Sequence, residues 1–314
     1  MNTTPRSFFR SRRPLTALGA LTLASLAALS ACGGGGDDTP DATAVTIRFA
    51  AVAGDQAIRC GTALSGLGTT SASGSLSDLR FYIANVRLLK ADGSETPLVL
   101  SNPNDNYNAT KGSDSVTLID LEDKTGQCVG TTATNPVIQG SVPSGSYVGV
   151  KMVLGVPMSL NHTDQTADTS VTPAAVNNAV HPGMAWSWAG GRKFAKIEAT
   201  NSSWTASTFN VHLGSTGCTG TNPNAGLVDK CLRPDRLEFT LASFNPATQQ
   251  IAVDVAALLS GNDVTVNGGG PTGCMSGATD PECVAIFQAL ALGLDNGATV
   301  ANGAGQRLFR VISQ

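Results

Sequence analysis

Residues 79–100 read LRFYIANVRLLKADGSETPLVL. The first twelve, rich in Phe, Tyr, Ile, Val and Leu, suit the pleated, half-buried surface of a strand. Ala91-Asp92-Gly93 then supplies a hairpin-type turn, and ETPLVL (95–100) resumes as the next strand. The same alternation of strand and turn recurs outward in both directions. VTIRFAAV (46–53) precedes it; SVTLIDL (115–121), YVGVKMVLGV (147–156), KFAKIEA (193–199), TFNVHLG (208–214), RLEFTLASF (236–244) and IAVDVAALL (251–259) follow. Pro143-Ser144-Gly145, Asn245-Pro246 and Gly268-Gly269-Gly270-Pro271 punctuate them. Many short strands with such turns predict an all-β chain, an antiparallel β-sandwich with long loops. The convincing helix is short and C-terminal, PECVAIFQALALGL (281–294), with LFRVIS (308–313) as a last strand. Two segments, 160–185 and 215–235, show no periodicity, and long unpatterned loops in a compact domain are often functional.

The first residues are an address. Arg6, Arg10, Arg12 and Arg13 lead into the apolar run LTALGALTLASLAAL, which stops at LSAC (29–32). A basic head, a short apolar run and small residues before a cut describe a secretory signal, and this run is short beside the about 20 residues of a membrane span. The Leu-Ser-Ala-Cys ending resembles a bacterial lipobox, which implies a lipoprotein signal peptide over 1–31 and lipidation of Cys32. The sequence GGGGDDTPDATA (33–44) makes residues 32–44 a flexible tether, and 45–314 the folded domain. Gly33 is not the Asp that commonly retains lipoproteins in the inner membrane, so the expectation is an exported protein anchored in the outer membrane and facing the periplasm. Cleavage leaves 16 basic against 23 acidic side chains, and no basic patch that would suit nucleic acid.

Cysteine counting agrees with export. Beyond Cys32 there are six: Cys60, Cys128, Cys218, Cys231, Cys274 and Cys283. An even number in an oxidising compartment suggests three disulfides, although six cysteines allow 15 pairings. Proximity favours Cys218–Cys231 and Cys274–Cys283, leaving Cys60–Cys128. No CxxC suggests a zinc knuckle or a redox dithiol.

Chemistry concentrates in HPGMAWSWAGGRKF (181–194), which holds one of three histidines and two of three tryptophans. His162 (SLNHTD), His181 and His212 (FNVHLG) each sit at a strand edge or in a loop. Neutral imidazole suits copper, zinc, iron and nickel, and Met158 and Met184 lie near two of the three as soft donors. If KMVLGV and FNVHLG are neighbouring strands, His162 and His212 converge at one end of the sandwich. The competing reading is three unrelated histidines satisfied by local hydrogen bonds. Trp186 and Trp188 share one face of an extended segment, and core packing explains tryptophan equally well. No GxSxG, HExxH or P-loop occurs. Asp78, Asp120, Glu122 and Asp123 lie near strand ends without forming an evident acid pair.

Taken in order, LSDLRFYIANVRLL, VTLIDLED followed by GQC, GSYVGVKMVLGVPMSLNH, GMAWSWAGGRKF, FNVHLGSTGC and C-x-x-P-D-R-L resemble the MbnP-like family, the four-Cys partner of the "metallo-mystery pair". The resemblance covers roughly residues 45–290. It implies a secreted copper-binding protein encoded beside a di-heme, MauG-like peroxidase. That enzyme oxidises a tryptophan of its partner to kynurenine, associated with copper bound beside histidines. His162 in LNH and His212 in HLG match the family's histidines, and Trp186 and Trp188 fall in its M-x-W-x-W segment, Trp186 being preferred. Two departures stand out. Arg192 replaces the family's usual aromatic before K-F, and the stretch from Thr163 to Gly183 is longer than typical. His181 is a local feature and ranks as a third ligand only.

The resulting expectation is a copper-binding lipoprotein in copper acquisition or homeostasis, with no catalysis of its own. Its partners would be the di-heme peroxidase and, through Cys32, a membrane. The alternatives are a structural or adhesive surface lipoprotein with incidental His and Trp, and a copper oxidoreductase.

Overall fold

The structure, a computed structural model, describes residues 41–164, 167–186, 191–223 and 226–314. The signal peptide, Cys32 and most of the tether lie outside the described residues, as does Trp188. Two sheets carry the domain. The larger runs in the order Thr208–Leu213, Ala195–Thr200, Ala72–Leu89, Gly149–Leu154, Leu237–Leu241. Ala63–Leu67, Glu95–Pro97 and Asp114–Asp120 also pair with Ala72–Leu89, the 18-residue strand around which everything is built. The smaller sheet runs Phe309–Ser313, Gln249–Asp254, Ala42–Ala53, Val137–Pro143, Val99–Leu100.

Aromatic contacts show that the sheets face each other. Phe49 and Phe309 of the smaller sheet meet Phe81 and Phe239 of the larger, with Phe239 stacked on Phe309 at 4.6 Å and Phe49 edge-on to Phe81 at 5.6 Å. Leu79, Phe81 and Ile83 point into this core, as period-2 geometry requires. Asp78, Arg80 and Tyr82 therefore face the other way, and they too are buried. Ala175, whose carbonyl accepts from the Tyr82 hydroxyl, and Pro182, whose carbonyl accepts from Arg80, lie over that second face.

Among the described strands the sandwich is antiparallel as expected except for one ladder: Ala42–Ala53 runs parallel to Gln249–Asp254. Strand structure starts at Ala42, inside the segment assigned to the tether, because Ala42 to Arg48 pair with Val137–Pro143. The small residues there carry no apolar alternation of their own. ETPLVL is two strands, Glu95–Pro97 in the larger sheet and Val99–Leu100 in the smaller, so the chain changes sheets at Leu98. IAVDVAALL is half strand and half helix. Asp254 accepts a hydrogen bond from the Ala257 amide and caps a helix over Val255–Leu259. The C-terminal helix spans Pro281–Ala289, with Pro281 in its first turn and Asp280 as cap; it stops short of 294 because Ala291 turns left-handed. The three disulfides are Cys60–Cys128, Cys218–Cys231 and Cys274–Cys283. Among the described residues no helix is long and apolar enough to cross a membrane.

Candidate metal centre

On the outward face of the larger sheet, register lines up charged residues on three adjacent strands. Lys196 lies opposite Arg80 on one side and His212 on the other, and Glu198 lies opposite Asp78. A chain of ion pairs follows. Arg80 donates to both oxygens of Asp78, from Nε at 2.9 Å and Nη2 at 2.6 Å. Lys196 Nζ bridges Asp78 at 2.5 Å and Glu198 at 3.1 Å, and Glu198 Oε1 accepts from His212 Nε2 at 2.7 Å. Burial pushes the Glu198 carboxyl up, but the His212 hydrogen bond and the Lys196 charge outweigh it and hold it down at about 2. Burial pulls His212 below its ordinary value. The pair is thus a carboxylate and a neutral imidazole, whose Nε2 carries the proton and whose Nδ1 keeps its electron pair. At the Arg80 end burial pushes Asp120, opposite Arg80 in the register, up to about 7.

The turn at 181–184 sits over this ladder. Arg80 Nη1 donates to the Pro182 carbonyl at 3.1 Å. Gly183 is left-handed, and a Cβ there would stand 3.6 Å from Arg80 Nη2. His181 donates from Nε2 to the Asn106 carbonyl and packs its ring on Tyr107 at 5.3 Å; burial lowers its pKa. Its role here is to pin the turn to the loop before Asn108–Lys111. Met184 is buried beside it.

Trp186 occupies the next position. Ala185–Trp186 pairs with Gly191–Arg192 in a small hairpin. The indole lies on Gly214, where a Cβ would come within 2.4 Å of Cε3 and Cζ3. Gly214 is two residues beyond His212. Across the hairpin Gly191 packs on Asn161, the residue before His162. The buried indole thus rests on the segment that carries His212, and its hairpin partner Gly191 on the segment that carries His162. Trp204, the third tryptophan, packs on Gly74 instead and belongs to the core.

His162 ends the short helix Met158–Asn161 and is buried. Asn161 fixes its ring. Asn161 Oδ1 accepts from the Arg192 amide at 2.8 Å, which leaves Nδ2 to face His162 Nε2 at 3.0 Å. Because an amide nitrogen only donates, Nε2 is the acceptor and the ring is the Nδ1–H tautomer. Cys231 Sγ lies 3.3 Å from the same Nε2.

The histidines do not close into one cluster. Gly149–Leu154 and Thr208–Leu213 are not neighbours, because Ala72–Leu89 and Ala195–Thr200 lie between them. Among the described residues two groups bring three ligand-type side chains within 4.8 Å: His162 with Cys218 and Cys231, and Glu122 with Cys60 and Cys128. His212 is held by Glu198 and His181 by Asn106, so neither shares these partners. Met158, on the His162 side, lines a cavity of about 210 Å³ with Asn161 and Cys231.

Arg192 is the residue whose role the sequence did not disclose. It is 1% exposed, and donates from Nε to the Val176 carbonyl, from Nη1 to the Asn161 and Thr163 carbonyls, and from Nη2 to Thr163 Oγ1. Burial lowers its pKa to about 10. It ties the helix before His162 to the 174–176 turn and to the Trp186 hairpin. The only signal was its standing where an aromatic was expected.

The model of the MbnP family matches residues 42–276. The chain belongs to the MbnP family. A solved structure of MbnP from Methylosinus trichosporium is 31% identical, superposes with a TM-score of 0.72, and aligns over 87% of this chain and 99% of its own. No curated protein matches. The match to the MbnP family begins at Ala42, where the first strand begins, and so takes in all of the ladder, both Trp186-flanking segments and His162.

Proposed function

We propose that this MbnP family member is a periplasm-facing copper-binding lipoprotein, anchored through Cys32 and serving copper acquisition or homeostasis. It would be the substrate of a di-heme peroxidase rather than an enzyme itself. The observation that carries the reading is the placement of Trp186, seated on Gly214 just beyond His212 and paired with Gly191 against the Asn161–His162 step. The donor types suit copper, although the two histidines do not stand in one cluster. His212 offers Nδ1 from a ring oriented by Glu198, the carboxylate–histidine arrangement common behind metal ligands. His162 offers Nε2, in exchange for the hydrogen bond it accepts from Asn161. Imidazole and soft sulfur donors suit copper, which would serve here as cargo.

Trp186 is 3% exposed, so an external heme enzyme would withdraw electrons from it through intervening protein rather than by contact. Opening of the indole to kynurenine removes one carbon and adds one oxygen, exposing an amine and a carbonyl beside the segment that carries His212. Intact mass and peptide mapping of the protein from its native periplasm, with metal analysis on the same sample, tests this. A kynurenine mass at Trp186 or Trp188 together with copper supports the reading. Unmodified tryptophans without metal, from cells with an active di-heme partner, refute it. A structural or adhesive lipoprotein is the second reading, favoured by the hydrogen bond each histidine already makes. Replacing His162 and His212 together separates the two, since only the copper reading loses metal.

A further inference from the structure

The Cys218–Cys231 disulfide differs from the other two. Both sulfurs of Cys60–Cys128 and of Cys274–Cys283 belong to buried residues, whereas Cys218 and Cys231 are both half-buried. The two cysteines face each other across a two-stranded ribbon, Thr216–Thr219 with Lys230–Arg233, that joins neither main sheet. Opening this bond breaks no ladder of either main sheet. The bond also has a specific neighbour: His162 Nε2 is 3.3 Å from Cys231 Sγ, and the three ligand atoms lie within 4.8 Å of one another. The Asn161 amide donates to that nitrogen and keeps the ring in the Nδ1–H tautomer, and a metal would displace this hydrogen bond. A cavity of about 210 Å³ bordered by Cys231, Asn161 and the partly exposed thioether of Met158 leads in from solvent.

We propose that Cys218, Cys231 and His162 form a reduction-gated site for a soft d10 cation, of which Cu(I) is the type. The reductant is a dithiol. Its thiolate attacks one sulfur, breaks the Cys218–Cys231 bond and forms a mixed disulfide; its second thiol resolves that intermediate. Two electrons pass to the cysteines, the dithiol becomes a disulfide, and two protons complete the thiols. Metal binding then displaces both protons, giving two thiolates and one imidazole, a set that selects Cu(I) or zinc. The oxidised bond closes the site by tying up both sulfurs.

This site shares His162 with the copper reading above but uses neither His212 nor Trp186, so the two fail separately. The test uses the full chain, made without a peroxidase partner, treated anaerobically with a phosphine or left oxidised, and titrated with Cu(I) against a chromophoric chelator. Alkylation and peptide mapping report which disulfide opened. Mild reduction is expected to open Cys218–Cys231 first and to add one tightly held Cu(I) per chain. Cys218→Ser with Cys231→Ser is expected to abolish that addition, and His162→Gln to weaken it by about tenfold or more. His162→Ala is a second probe should the glutamine variant misfold. The proposal is overturned if reduced and oxidised protein take up equal Cu(I), if another disulfide opens first, or if the double serine variant binds as the reduced protein does. Absence of copper from the native, oxidised protein would instead count against the proposed function alone.

Discussion

Replacing Gly214 by Ala isolates the contact on which the Trp186 placement rests. Gly214 does not lie in the left-handed region, so its backbone accepts alanine without strain. Elsewhere such a change stabilises a chain by about 0.4–1 kcal/mol through the unfolded state. Here the added methyl group would stand 2.4 Å from two indole carbons and 2.8 Å from the Arg192 carbonyl oxygen, against an ordinary contact of 3.4 Å or more. The ring has to retreat by about 1 Å into a hairpin whose far side rests on Asn161. Forced overpacking of this kind costs about 1–3 kcal/mol, so the net effect is a loss of about 1–2 kcal/mol. At roughly 2–4 °C per kcal/mol for domains of a few hundred residues, Tm falls by several degrees. Gly145→Ala is the control, since its nearest neighbour is the Tyr147 ring at 3.7 Å. A double-mutant cycle with Trp186→Ala should show strong coupling, because removing the indole removes the clash. Additive costs, or a Gly214→Ala protein as stable as the control, would refute the packing argument and with it the site drawn around Trp186.

Two further outcomes follow from the charged and clamped residues. Arg192→Met strands the Val176, Asn161 and Thr163 carbonyls; at about 1–3 kcal/mol for each buried group left unpaired, urea unfolding should show a loss of at least about 3 kcal/mol, and limited proteolysis should cut first within 160–185. Glu198 has a folded pKa of about 2 against an ordinary 4.5. A carboxyl depressed on folding stabilises fully above its unfolded value and loses that contribution as pH falls through the folded one. Wild-type stability should therefore drop between about pH 4.5 and 2, and Glu198→Gln should be weaker at neutral pH while its own loss over that window shrinks.

Much of the sandwich was legible because its strands alternate over enough residues to declare a face. LRFYIANVRLLK and KFAKIEA announce themselves, and the C-terminal helix carries Pro281 and a capping Asp280 in plain view. The errors arose where one residue changes the rule midway. Asp254 converts a strand pattern into a helix by accepting one amide, and Leu98 lets a single apolar run serve two sheets. The individual site residues were legible by type, as His and Trp in a chain poor in both. Their partners were not. Glu198 meets His212 only through the register of two strands, and Cys231 meets His162 across 69 residues. Arg192 read as an oddity because a buried guanidinium is recognised by the carbonyls around it, and those come from loops without any pattern.

The first strand has a mechanical consequence. Ala42–Ala53 lies in the interior of the smaller sheet, antiparallel to Val137–Pro143 along its first half and parallel to Gln249–Asp254 along its second. A pull entering from the N-terminal side acts along this strand, so the hydrogen bonds on both flanks are loaded in shear and must yield together. An edge strand peeled from its end would give way one bond at a time. Tension applied at that end would thus meet a strand held by ladders on both flanks. His212 stands on a strand of the other sheet, outside these ladders.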